Sequence, residues 1–350
     1  MSARPLRAAV IGAGAIAHQH LQFLSTSTSA ELVGVCDRSP ALSTWAADTF
    51  GGVAFQDSDV MLRECGAQVV HILTPPASHL ALATAALEAG AHVLVEKPLA
   101  ATLAEFETLY DAAEARGLTV MENQNYRFND QILELSSRIR SGELGALVDA
   151  EVRLSLDFAS DDRFSSPLLN SPVGHLRGGA IRDFLPHAVG LIFELCGEAD
   201  PTDLHASWWS LKKIERLGPD ELDVVYDVKG VRCRIRVSAS TKPEGFRVVA
   251  RGTGGATEVD LFQPVDLRES ARDGGALSPL IDQIKAGTRL VTGSGTGLAK
   301  KVLQHTPYHG LNRLLGHYYH ALQTGTALPL EREQILRCAG CIDQIAETAP

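Results

Sequence analysis

The chain has 350 residues, 45% of them hydrophobic and 21% charged, with a formal net charge of −10. That length allows two domains with sizeable cores, and the acid excess argues against a partner such as nucleic acid or an anionic membrane surface. No apolar run is long enough to span a bilayer, and the first strand follows Met1 too closely to leave room for a signal peptide, so the chain reads as cytoplasmic.

The first predicted strand, 7–11, runs into Gly12, Gly14 and Ala17 at the spacing G-x-G-x-x-A. In a strand-to-helix turn, Gly12 makes the sharp bend, Gly14 lets backbone approach a pyrophosphate, and Ala17 lets the helix pack closely. Ala15 and Ile16 complete this cofactor-binding turn, and the helix start presents amide groups to phosphate. An ordinary glycine-rich turn is the competing reading. The second strand, 32–36, ends at Asp37, about twenty residues past the glycines, where a carboxylate accepts the adenosine ribose hydroxyls. Its charge would repel a 2′-phosphate and so favours NAD over NADP; a helix cap or turn role is the alternative. Arg38 beside it would stack on adenine or reach a 2′-phosphate.

Further strands are predicted at 69–73, 92–95 and 118–121, with helices between them, for example 78–89 and 103–116. Strands alternating with helices imply a doubly wound parallel sheet, an α/β Rossmann domain over 1–122 that binds its ligand at the strands' carboxyl ends. Thr74-Pro75-Pro76 closes the third of these major strands and Glu96-Lys97-Pro98 the fourth. After the fifth, Gln124 and Asn125 read either as contacts to nicotinamide ribose or substrate or as hinge packing. Tyr126 and Arg127 carry the same two readings, as pocket lining or hinge.

The pattern changes near residue 123. A helix at 130–141, a strand at 148–156 and a Ser/Pro/Gly/Arg-rich loop at 159–179 precede a helix starting near Ala180. Runs such as VRCRIRV (231–237) alternate as a strand with one solvated face does. Two helices, 308–323 and 331–347, close an α+β domain over 123–350 with a mainly antiparallel sheet, assigned to substrate binding and oligomerisation. In the loop, Arg163 and Arg177, with His175 between them and Arg182 beyond, read either as a site for an anionic substrate group or as partners of Asp161 and Asp162. His305, His309, His317 and His320 lack a completing ligand set, and Cys338-x-x-Cys341 falls in a helical stretch without a second pair. No metal site is therefore expected.

Taken together, the glycine turn, the TP…H strand end (Thr74, Pro75, His79), the EKP strand end and GGAIRDFLPH at 178–187 resemble the Gfo/Idh/MocA oxidoreductases. Leu185 and Gly190 depart from that family's usual glycine and acid. The resemblance implies an NAD-dependent enzyme that transfers hydride between nicotinamide and a secondary alcohol or ketone of a sugar, cyclic polyol or sugar derivative. It implies Lys97, Asp183 and His187 as catalytic residues, with Thr74, Pro75, His79, Glu96, Lys97 and Gln124 at the cofactor. It also implies an unusual Lys97–Pro98 bond and a homodimer or homotetramer. The residue chemistry agrees: a histidine takes the hydroxyl proton, a carboxylate on the same helix face steadies it, and a lysine stabilises the developing alkoxide. A non-catalytic cofactor-binding sensor of the same fold is the alternative, and such a sensor has no chemical need of all three residues.

Overall fold

The computed structural model describes residues 4–157, 177–211, 218–263, 266–270 and 309–350, with positions 281, 284, 287 and 288 between them. Its contacts divide the chain into two compact units, one of residues 1–125 with 310–339, the other of 126–309 with 340–350.

The first unit is built on six parallel strands: β1 (Leu6–Ile11), β2 (Ala30–Cys36), β3 (Val53–Phe55), β4 (Val69–Ile72), β5 (His92–Val95) and β6 (Val120–Glu122). Their order is β3-β2-β1-β4-β5-β6. Ala8, Ala9, Val10 and Ile11 are all buried, the continuous apolar run of a strand covered on both faces. Helices α1 (Ala17–Thr26), α2 (Pro40–Phe50), α3 (Ser58–Glu64), α4 (His79–Glu88) and α5 (Leu103–Glu114) connect them. Thr102 and Glu105 form a reciprocal capping box at the start of α5. The strand order reverses between β1 and β4, which opens a crevice at their carboxyl ends, where Gly12 and Thr74 follow. The short strand β3 escapes sequence reading because three residues carry no period.

The second unit contains α6 (Asp130–Arg140), β7 (Leu147–Asp157), α7 (Gly179–Arg182), α8 (Leu185–Cys196) and strands β8 (Thr202–Trp209), β9 (Glu221–Val228), β10 (Val231–Ser238), β11 (Ser240–Gly252), β12 (Gly255–Asp260) and β13 (Asp266–Ser270). The sheet order is β13-β12-β11-β7-β10-β9-β8, antiparallel throughout except for the parallel pair β7–β10. On β10, Val231, Cys233, Ile235 and Val237 are buried while Arg232, Arg234 and Arg236 are exposed. The outer face is a field of ion pairs, among them Arg232–Asp227, Arg236–Asp223, Arg251–Asp149 and Arg247–Glu258.

The chain's last helices are α9 (His309–Thr324) and α10 (Arg332–Glu347). Leu311, Leu314, Leu315, Tyr318 and Tyr319 form the buried stripe of α9 at helical spacing. Residues 310–339 thus count with the nucleotide-fold unit, whereas the sequence reading assigned all of 123–350 to the second domain. An apolar helical stripe states that it needs a partner but not which one.

Candidate active site

Gly12 has φ +99°, and a Cβ there would lie 2.9 Å from the carbonyl carbon and oxygen of Leu73, so only glycine fits between the ends of β1 and β4. A Cβ at Gly14, by contrast, would meet no atom within 4 Å. Gly14 and Ala15 are exposed and Ile16 half-buried. The N-terminus of α1 has no side-chain cap and no acid in its first turn. An open backbone stretch at an uncapped helix start is the form that accepts a pyrophosphate.

Asp37 is half-buried and both of its oxygens meet backbone: Oδ2 accepts from Ala13 N at 2.8 Å and Oδ1 from Ser39 N at 2.8 Å. The turn role weighed for Asp37 is therefore occupied, and the carboxylate knits the glycine turn to the start of α2. Arg38 beside it is exposed.

The segment Lys97-Pro98-Leu99 contains a cis Lys97–Pro98 bond and is held at every residue. Lys97 N donates to Glu96 Oε2 (3.3 Å), Pro98 O lies 2.8 Å from His79 Nδ1, and Leu99 N donates to Glu122 Oε2 (2.7 Å). His79 Nε2 lies 2.7 Å from Thr74 O, so its ring bridges the TP and EKP strand ends. The ring is fully buried, and the nitrogen that carries its proton donates to one of these two backbone carbonyls. Burial lowers its pKa against the raising pull of those carbonyls. Thr74 is half-buried and Pro75 exposed, and Thr74 Oγ1 accepts from Ser78 Oγ at 2.7 Å. Gln124 is buried and donates to Glu122 Oε1 at 2.8 Å, which makes it support for the strap; Asn125 is buried in the short helical turn that follows.

In the second unit, the single helix expected from Ala180 is two. Asp183 caps α7, Phe184 opens α8, and Pro186 stands in the first turn of α8 without an amide proton to continue the ladder. The acid sits at the joint and the histidine in the first turn of α8, and both joint residues, Asp183 and Phe184, keep right-handed helical backbone angles. His187 is 8% exposed, and the edge of Tyr126 meets its ring with centroids 4.7 Å apart. Tyr126 also meets Phe246 at 5.0 Å, so an aromatic wall backs the histidine. Arg127 is buried and pairs with Glu194 (3.2 Å) and Glu198 (3.1 Å). Arg177 donates to Glu347 O (2.8 Å), and Arg182 pairs with Asp343 (2.7 Å). Arg163 and His175 lie outside the described residues. Among the described residues no group of three His, Cys, Asp or Glu could hold a metal ion.

Sequence reasoning missed His20, His71, Asn123, Glu122 and Tyr319, which lie behind the EKP segment. The available signal was a histidine in the apolar run VVHI of β4 and another on the inner face of α1.

Residues 6–124 match the oxidoreductase family with an NAD-binding Rossmann fold, GFO_IDH_MocA. This segment of the chain is similar to the NAD-binding domain of that family. The chain is 35% identical over 150 residues to glucose-6-phosphate 3-dehydrogenase of Bacillus subtilis (43% of this chain, 42% of that protein). It is 32% identical over 149 residues to D-glucoside 3-dehydrogenase of Escherichia coli (42% of each). The match spans about two fifths of the length of these curated relatives. The fold extends further: the WlbA dehydrogenase from Bordetella pertussis, solved in complex with NADH and UDP-GlcNAcA, superposes with a TM-score of 0.79 and 19% identity, over 99% of this chain and 97% of that one.

Proposed function

We propose that this chain is an NAD-dependent dehydrogenase or reductase acting on a secondary alcohol or ketone of a sugar, cyclic polyol or sugar derivative. The observation that carries the reading is the crevice of the first unit, where a glycine turn with an open Gly14 stands beside a Lys97 segment braced at three consecutive residues. Two relatives named as 3-dehydrogenases of glucose derivatives support a CH–OH substrate. Bound NAD would supply the hydride acceptor. The turn at Gly12, Gly14, Ala15 and Ile16 would hold its pyrophosphate, with Asp37 and Arg38 at the adenosine end and Asp37 disfavouring a 2′-phosphate.

The chain's own residues would then handle the proton and the oxygen. His187 takes the hydroxyl proton, Asp183 steadies the charge that the imidazole acquires, and Lys97 donates a hydrogen bond to the substrate oxygen as negative charge develops there. Asn125 and Tyr126 would contact substrate, as would Arg163 and Arg177, the last of which also donates to the Glu347 carbonyl. The same reading makes the protein a cytoplasmic homodimer or homotetramer. No described helix is long and apolar enough to cross a membrane.

The test is a screen of sugars, sugar phosphates and polyols for NAD reduction, with His187→Asn as the blank. Losing a positioned acid–base group should slow turnover about 10²- to 10⁴-fold while NAD binding survives. Lys97→Ala should also depress turnover. In the oxidising direction the parent's rate should rise with pH, because neutral imidazole is the proton acceptor, and the Asn variant should lack that limb. Near-normal turnover with an unchanged pH profile in the variant would overturn the assignment.

A further inference from the structure

Behind Lys97 lies a line of buried polar groups that the proposed reaction does not use. His20 projects from α1, His71 from β4 and Tyr319 from α9, and all three are fully buried. Tyr319 Oη lies 3.0 Å from His71 Nε2, His71 Nδ1 lies 3.0 Å from His20 Nδ1, and His20 Nε2 lies 3.2 Å from Glu96 Oε1. Glu96 also accepts from Asn123 Nδ2 at Oε1 and from Lys97 N at Oε2. Burying such groups inside an apolar sheet is costly unless each finds a partner, and here they meet end to end.

The direction of every bond follows. Burial pushes the Glu96 carboxyl up, and the hydrogen bonds from His20 Nε2 and the Asn123 amide, with the charge of Lys97, pull it down, to a net position below its usual range. An ionised Glu96 accepts, so His20 Nε2 is the donor. Burial keeps His71 neutral, with its pKa well below 6.5. Burial holds the Tyr319 phenol well above 10, so its proton stays on, and among the described residues its hydrogen-bond partner is His71 Nε2. Tyr319 therefore donates to His71 Nε2, and the single proton of His71 sits on Nδ1. That N–H donates to His20 Nδ1, which leaves His20 neutral with its proton on Nε2, facing Glu96. The reverse direction would need a second proton on His20 and would leave the phenol proton without that acceptor.

We propose that Tyr319, His71 and His20 form a one-way hydrogen-bond relay that fixes the Glu96 carboxylate behind Lys97, which makes all three positioning residues. The inference rests on the reading of Lys97 as a catalytic group. Because the phenol proton sets the direction, the histidine next to Glu96 stays neutral, and the carboxylate charge is left to act on Lys97 instead of being cancelled by an imidazolium. The other ionisable groups facing the relay are His79 and Glu122, whose fields reach Glu96, and Tyr318 beside Tyr319.

Nitrogen-15 histidine NMR of the full chain reads the relay without needing a substrate. His20 should be neutral with its proton on Nε2 and His71 neutral with its proton on Nδ1. Tyr319→Phe removes the proton that sets the direction, so His71 should no longer hold its proton on Nδ1 alone and a mixture of its two tautomers should appear. In turnover, His20→Leu should lower kcat about tenfold, the equivalent of about 1.4 kcal/mol, with the Lys97 contribution reduced. His20→Gln, whose amide can donate to Glu96 and accept from His71, should recover most of that loss. If His20→Leu does not fold, His20→Gln and Tyr319→Phe still decide the question through the spectra. A proton found on His20 Nδ1 in the parent, or an unchanged His71 tautomer in Tyr319→Phe, would overturn the relay whatever the substrate screen returns. Full kcat in a folded His20→Leu protein would overturn its positioning role.

Discussion

Glu96 and Glu122 end neighbouring strands, and their carboxyls are displaced in opposite directions. Glu96 is held low despite burial, so the folded state binds its proton more weakly than the unfolded chain. Its contribution to stability is present above the unfolded value and fades as pH falls through the folded one. Glu122 is raised by burial, which outweighs its bonds from Gln124 and Leu99 and the charge of Lys97. It therefore favours folding at acid pH, and that contribution is lost as pH rises through its folded value. Glu122→Gln should shift the melting temperature upward relative to the parent as pH climbs from 4 toward 7, with the Gln124 amide turned to accept from the new side chain. Calorimetry across that range checks it, and a constant offset would refute it. Asp37 carries a second residue-scale prediction. Asp37→Ser should narrow the preference for NAD over NADP by removing the charge. It should also weaken both cofactors by roughly 1 kcal/mol, because Ala13 N loses its acceptor. Fluorescence titrations with NADH and NADPH separate the two effects, and tighter NADPH binding by the parent would defeat the NAD assignment.

At the scale of elements, the glycine turn contains two glycines with different duties. Gly12→Ala forces a side chain against the Leu73 carbonyl at positive φ and should destabilise folding by roughly 1–3 kcal/mol. Gly14→Val has open space before it, so it should leave the melting temperature nearly unchanged while blocking NAD. Circular dichroism and a cofactor titration on the same samples decide the pair; unchanged affinity in Gly14→Val would make the turn a packing feature alone. The motif announced this turn, because the spacing is a backbone requirement written in residue types. The break between α7 and α8 was less legible. Pro186 was visible, but proline in a first turn and proline at an interruption look alike until the preceding residues are placed. The EKP strap shows the same limit. Its sequence marks a strand end, whereas its bracing comes from His79 and Glu122, 18 and 25 residues away from Lys97 along the chain.

For the whole molecule, the chain order and the compact units differ in one respect. Residues 310–339 belong with the nucleotide-fold unit, where Tyr319 meets His71 and Arg332 pairs with Asp111 and Glu114. A fragment of residues 1–125 alone should lose the apolar cover given by Leu311, Leu314, Leu315 and Tyr318 and should unfold at lower urea with reduced cooperativity. Joining 310–339 to it through a flexible linker should restore a sharp transition. An isolated 1–125 fragment with the full chain's midpoint would show that the return is dispensable.

The sequence by itself determined the alternating strands and helices of the first unit, the glycine turn, the two marked strand ends and the one-faced strands of the second sheet. These are short-range statements, set by backbone sterics and by periods of 2 and 3.6 residues, and they survive without knowledge of the partner. Only the tertiary structure decided that α9 covers the first unit, that His79 is a brace, that Arg127 pairs with Glu194 and Glu198, and that two isolated histidines and a distant tyrosine stand in line behind Glu96. A buried polar side chain is explained by the atom it meets, and that atom lies on another element, at a separation no local pattern encodes.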